Sequence, residues 1–182
     1  MVQSVELLPS PTVEAWVRDQ WRALVEAGLS SLANHQGETN RPHVTLAVAQ
    51  SVDADAEARL DDALALWPQA VVRLGGLVVF GPQGRDGRCV LARLVVPSQS
   101  LLALQERVAA AWRHAEGVPW TTRTGAWTPH VTLAMRLTPE QVGQAVAVVG
   151  RWRPLDEPGP PTGVRRWDGD ARREWWLARS PG

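Results

Sequence analysis

The chain has 182 residues, 45% apolar and 21% charged, which is the balance of a globular protein rather than of a disordered, collagenous or coiled-coil chain. A chain of this length buries about 70% of the surface its unfolded form exposes, so its core needs no disulfide or metal staple. Nineteen acidic residues cancel nineteen basic ones, which argues against a protein that grips duplex nucleic acid by net charge. Every basic residue is Arg; the sequence contains no Lys. Schiff-base lysines, lysyl-nucleotide intermediates and phosphate-loop lysines are therefore excluded. Cys89 is the lone cysteine, which rules out a disulfide framework and a cysteine-based zinc site.

In chain order, the segment before Trp16 has no basic leader and carries Glu6, so it does not read as a signal peptide. Val2–Leu8 reads as a strand. Pro11–Gly28 reads as an amphipathic helix, with Pro11 suited to its first turn and Gly28 to its end. A short strand around Pro42–Ala47 follows, then a helix over Asp53–Trp67 that opens on acidic residues. Val71–Phe80 and Arg88–Val96 read as strands flanking a turn at Gly81–Gly87. Ser98–Gly117 reads as a second amphipathic helix, and Pro129–Ala134 as another short strand. Thr138-Pro139-Glu140-Gln141 has the N-cap, first-turn proline and capping-box Gln of a helix that runs to Val149 and ends at Gly150. Pro154–Pro161 is a proline-rich loop. Gly163–Asp168 and Arg172–Arg179 form a final strand pair around Gly169-Asp170. No apolar run approaches the roughly 18 residues of a membrane span, so a cytoplasmic protein is expected.

One element of this pattern is a repeat. Pro42-His43-Val44-Thr45-Leu46-Ala47 recurs without change as Pro129-His130-Val131-Thr132-Leu133-Ala134, 87 positions later. The sequence holds four His, and two of them lie in this hexapeptide. A 87-residue shift also brings Pro11 onto Ser98, so the helices before the two copies are in phase. The chain thus reads as a duplicated α+β unit: a single bilobal domain over 1–182, with one motif at 42–47 and the other at 129–134. Its two antiparallel sheets would face a central cleft with helices outside.

Strand alternation sends His43, Thr45 and Ala47 to one face and Val44, Leu46 and Val48 to the other. The second copy divides His130, Thr132 and Ala134 from Val131, Leu133 and Met135 in the same way. Two imidazoles and two hydroxyls then meet across the cleft. A neutral imidazole can take a proton from a nucleophile and a protonated one can give a proton to a leaving oxygen. The hydroxyls can donate to the non-bridging oxygens of a phosphodiester. No metal and no cofactor is required. Identical motifs do not distinguish the acid from the base.

These motifs make the chain resemble the 2H phosphoesterase superfamily, named for two H-x-[T/S]-x motifs, and within it the bacterial 2′,3′-cyclic phosphodiesterases often called 2′-5′ RNA ligases. The resemblance implies metal-independent chemistry on 2′,3′-cyclic phosphates of RNA ends or nucleotides, giving the 2′-phosphate. It implies that His43 and His130 are general acid and base and that Thr45 and Thr132 bind phosphate. The implied partner is a cyclic-phosphate RNA end or nucleotide, with no membrane and no protein partner, so a monomer is expected. Many relatives carry an Arg five residues after the second His. Here that position is Met135, and Arg136 comes one later. By parity Arg136 falls on the His/Thr face, unless a bulge intervenes. The alternatives are a 2H enzyme for another small cyclic phosphate, such as an ADP-ribose cyclic phosphate, and a non-catalytic RNA or nucleotide binder on the same fold.

Other residues carry weaker signals. Arg41, directly before the first motif, and Trp127, three before His130, are candidate substrate contacts. Trp120 and Arg123 are lesser ones. Trp175 and Trp176 are neighbours on one strand, so one of them is placed to line the cleft. Trp16, Trp21, Trp67 and Trp112 lie in helical patterns and read as packing. His35 and His114 have no partners at the 87-residue offset and read as surface residues.

Overall fold

A computed structural model describes residues 2–180 except 36, 38, 66–69, 84, 85 and 154. Its elements follow the chain as β1 (Gln3–Leu8), α1 (Pro11–Glu26), β2 (Val44–Ala49), α2 (Ala54–Leu64), β3 (Leu74–Gln83), β4 (Arg88–Val95), α3 (Gln99–Ala111), β5 (His130–Leu137), α4 (Pro139–Val149), β6 (Gly163–Asp168) and β7 (Arg173–Arg179). The helices begin on the expected caps. Ser10, Asp53, Ser98 and Thr138 each accept a first-turn backbone N–H, and Thr138 with Gln141 completes the capping box.

Two boundaries differ from the sequence reading. The helix expected to reach Gly117 stops at Ala111. Glu116 instead bridges Ser51 in antiparallel fashion, and its carbonyl accepts from the Gln50 N–H at 2.7 Å. Gly117 sits at φ +69°, pressed against Gln50 where no Cβ would fit. The helix expected to reach Trp67 is described to Leu64, and Trp67 lies outside the described residues.

Both sheets are antiparallel. One has the order β2-β1-β6-β7 and the other β3-β4-β5. They do not correspond to the two halves of the chain. In the repeat, β1, β2 and β3 of the first half match β4, β5 and β6 of the second. Yet β3 pairs with β4, and β6 with β1. Each half therefore hands its last strand to the other half's sheet. The helices cross over as well. α1 and α4 pack together on the three-stranded sheet, while α2 and α3 pack together on the four-stranded one. The buried set, which includes Val5, Leu7, Leu24, Leu46, Leu60, Leu91, Leu104 and Leu133, forms one continuous cluster across both layers. Among the described residues no helix is long and apolar enough to cross a membrane.

The motif strands carry matching irregularities. β2 slips against β1 between the pairs Val5↔Ala47 and Glu6↔Thr45, leaving Leu46 as an extra residue. β5 slips against β4 between Leu91↔Ala134 and Ala92↔Thr132, leaving Leu133 extra. The same bulge thus occurs at equivalent positions of both repeats. It corrects the alternation read from the sequence. Ala47 and Ala134 join the core at 2% and 0% exposure beside Leu46 and Leu133. Val48 and Met135, assigned to the core face, instead line the cleft.

Candidate active site

The motif strands lie side by side where the two sheets meet. A cleft of about 620 Å³ brings Thr45 and Val48 of the first motif strand together with His130, Thr132 and Met135 of the second. A smaller adjoining cavity of about 110 Å³ brings His43 to Thr132 and Met135. All four motif side chains are therefore grouped at one place.

The two imidazoles are anchored in the same manner. Nδ1 of His43 lies 2.7 Å from the Arg41 carbonyl, and Nδ1 of His130 lies 2.7 Å from the Thr128 carbonyl. A carbonyl only accepts, so each Nδ1 carries the proton and donates it. This leaves Nε2 of each ring as the atom that can exchange a proton with a ligand. The strand backbone is fixed in turn by indoles. Trp21 Nε1 donates to the Thr132 carbonyl at 3.0 Å, and Trp127 Nε1 to the Thr45 carbonyl at 2.9 Å. Gln105 of α3 donates to the Leu46 carbonyl at 3.3 Å. The bulged segment of each motif is thus held by side chains from a different element.

The surroundings of the two His differ. Beside His43, Glu6 is buried on β1 with Oε1 3.6 Å from Nε2 of the imidazole. Ser4 donates to Glu6 Oε1 at 2.7 Å, and Arg165 of β6 pairs with Glu6 Oε2 through Nε and Nη2 at 2.8 and 2.7 Å. Arg165 also pairs with Glu174 of β7. Burial pushes the Glu6 carboxyl up, but His43, Arg165 and the Ser4 hydroxyl outweigh it and hold Glu6 below the usual Glu range. His130 instead lies against the Phe80 ring at 4.6 Å between centroids. Burial, reinforced by the charge of His43, lowers the His130 pKa against the opposing hydrogen bond to the Thr128 carbonyl.

The remaining candidates divide. Arg41 lines the smaller cavity, but its guanidinium is held by Glu14, with Nη2 2.6 Å from Oε2. Its carbonyl, rather than its charge, reaches the site. Arg136 sits in a further bulge, where Met135 and Arg136 oppose Val90 between the pairs Cys89↔Leu137 and Leu91↔Ala134. Its φ is +61° and it is exposed, so the parity that carried it to the His/Thr face does not hold. Met135 takes that place. Trp127 lines the cleft with its indole N–H committed to Thr45, and Trp120 stands 69% exposed at the rim. Arg123 lines a separate cavity against α3. Trp175 lies beneath the guanidinium of the buried Arg166, which is also stacked on Trp112. Trp176, opposite Arg165 in the ladder, packs on Gly163, where a Cβ would strike its ring. His114 accepts from Arg113 Nε at 2.9 Å. Among the described residues no cluster of three His, Cys, Asp or Glu is arranged to hold a metal ion.

Glu6, Arg165 and Phe80 were not singled out from the sequence. The signal for Glu6 was present: Ser4 and Glu6 alternate with Val5 and Leu7, which is how a strand with one polar face reads. Arg165 gave no such signal, because only the exchange of β6 into this sheet places it beside Glu6.

Comparison with known proteins agrees with the motifs. No curated protein matches the chain. Solved structures of Kluyveromyces marxianus Usb1 have the same fold, with 13% identity and 97% of each chain covered. The TM-score is 0.55 for one and 0.57 for another, the structure with uridine monophosphate. The family profile of the 2′-5′ RNA ligase superfamily matches residues 9–163. With most of its length under that profile and an HVTL motif at either side of the cleft, the chain belongs to the 2′-5′ RNA ligase superfamily of 2H phosphoesterases.

Proposed function

We propose that the protein hydrolyses 2′,3′-cyclic phosphates of RNA ends or nucleotides to the 2′-phosphate, without a metal ion, acting as a monomer in the cytoplasm. One observation carries the reading: two imidazoles anchored through Nδ1, each with Nε2 free for proton exchange, share a cleft with two motif threonines. One Nε2 takes a proton from the attacking water, and the other gives one to the departing ribose oxygen. The Thr45 and Thr132 hydroxyls donate to the non-bridging oxygens, where charge builds up in the transition state. Phe80, Trp120 and Trp127 line the same cleft and give a base an aromatic surface to rest on. The Usb1 structure with uridine monophosphate supports a ligand of nucleotide size on this fold.

The test is turnover of 2′,3′-cyclic nucleotides and cyclic-ended RNA in the presence of EDTA. Wild type is expected to remain active. His43→Ala and His130→Ala are each expected to lose about 10²–10⁴-fold in kcat, the range for an acid or base group. Activity abolished by EDTA would remove the metal-independent reaction, and full activity in both variants would remove the site.

A further inference from the structure

The two motifs are identical in sequence, but the sheets beneath them are chemically opposite. In the β1–β2 ladder Thr45 faces Glu6, and Val48 faces Ser4. In the β4–β5 ladder Thr132 faces Ala92, and Met135 lies across the bulge from Val90. The next strand repeats the contrast. Arg165 of β6 pairs with Glu6, whereas Val78 of β3 pairs with Ala92 and Phe80 with Val90. His43 therefore borders a buried, hydrogen-bonded carboxylate, while His130 borders an aromatic ring and small apolar side chains. The Glu6 carboxylate has one oxygen occupied by two Arg165 nitrogens and the other shared between Ser4 and the side facing His43 Nε2.

We infer that His43 is the general acid and His130 the general base, and that Glu6 is the positioning residue that keeps the proton on Nε2 of His43. This assignment rests on the cyclic phosphodiesterase reading above. A carboxylate 3.6 Å from Nε2 interacts favourably with a protonated ring and not with a neutral one. An apolar wall does the reverse, because it gives nothing in place of the water that an imidazolium would lose. Burial and the charge of His43 accordingly disfavour a proton on His130. The charged groups around His43 are Glu6, then Arg165 and Glu174 behind it. The charged group acting on His130 is His43 itself.

The step balances as follows. Water attacks phosphorus as Nε2 of His130 removes its proton. A new P–O bond forms and the P–O3′ bond breaks. Nε2 of His43 passes its proton to O3′, leaving a free 3′-hydroxyl and a 2′-phosphate. His130 then holds one proton more and His43 one fewer, and exchange with solvent restores the starting state.

A leaving-group experiment tests the assignment. A cyclic phosphate with sulfur in place of the bridging 3′-oxygen expels a thiolate, which leaves without a proton. On the oxygen substrate, His43→Ala and His130→Ala both lose about 10²–10⁴-fold. On the sulfur substrate His43→Ala is expected to return to within about tenfold of wild type while His130→Ala keeps its full defect. Glu6→Gln is expected to lose about tenfold with oxygen and little with sulfur, because its effect runs through the acid step alone. A residue that served only to hold the fold would depress both substrates equally. Ser4→Ala, which leaves the ion pair in place, gives a second reading with the same selective pattern at about two- to threefold. Rescue of His130→Ala in place of His43→Ala would reverse the assignment. Equal losses for Glu6→Gln and Ser4→Ala on both substrates would remove Glu6 from it. A wild type that opens neither substrate would remove the cyclic phosphodiesterase reading, and the assignment with it.

Discussion

At the scale of single residues, the site is organised by hydrogen bonds that leave one atom of each ring available. The Arg41 and Thr128 carbonyls hold Nδ1 and so select the tautomer whose Nε2 is a base when neutral. The lowered pKa of His130 has a kinetic consequence. With His130 as base, the acidic limb of the kcat/KM profile is expected to have its midpoint below pH 6.5, the ordinary His value. A midpoint at or above 6.5 would contradict this. The same shifts bear on stability. Between the folded His130 value and 6.5 the unfolded chain binds the proton more readily, so stability is complete above 6.5 and declines as pH falls through the folded value. Glu6 acts likewise from its ordinary 4.5 downward, being ionised in the fold where the unfolded chain is protonated. Urea titrations from pH 8 to pH 3 are expected to show stability falling in these two windows, and Glu6→Gln to lack the lower one. Glu6→Ala is expected to cost about 3 kcal/mol at pH 7, because Arg165 then remains buried with only Glu174 as a carboxylate partner.

At the scale of elements, the paired bulges decide which motif residues meet the ligand. An extra residue at Leu46 and again at Leu133 lets two successive side chains enter the core and then returns the strand to alternation. Leu133→Ala is expected to lose about 2–5 kcal/mol in urea denaturation, since Leu133 is fully buried and leaves a cavity. Met135→Ala, at 42% exposure, is expected to lose little stability. Had the strands alternated regularly, Leu133 and Met135 would share one face and the two losses would be similar. At the helix starts, sequence and structure agree because a cap is a local device. Ser98, two residues from its helix's first side-chain contacts, is readable from the chain alone. Ser98→Ala is expected to cost about 1 kcal/mol through loss of the bond to the Leu101 N–H.

At the scale of the whole molecule, the repeat is interleaved rather than set side by side. β6 sits in the middle of the four-stranded sheet, between β1 and β7, and β3 completes the three-stranded sheet beside β4. Neither half can close its own sheet or cover it with its own helices. Fragments 1–87 and 88–182 are therefore expected to be unfolded separately by circular dichroism and to regain structure only when mixed. Two independently folded halves would contradict the exchange of strands. The amino-acid sequence by itself determined the parts with a short-range signature. These are the helix caps, the near-exact duplication of the HVTL strands, and through them the family and the two candidate catalytic His. Its lack of Lys already confined the chemistry to imidazole, hydroxyl, carboxylate and guanidinium groups. Tertiary structure decided what depends on distant partners. It placed Ala47 and Ala134 in the core, turned Arg136 away, and spent the charge of Arg41 on Glu14. It also set a buried ion pair from β1 and β6, 159 positions apart, beside one His and Phe80 beside the other. Two identical hexapeptides can differ in chemistry only through such surroundings, and no local pattern in the chain specifies which strand will lie next to which.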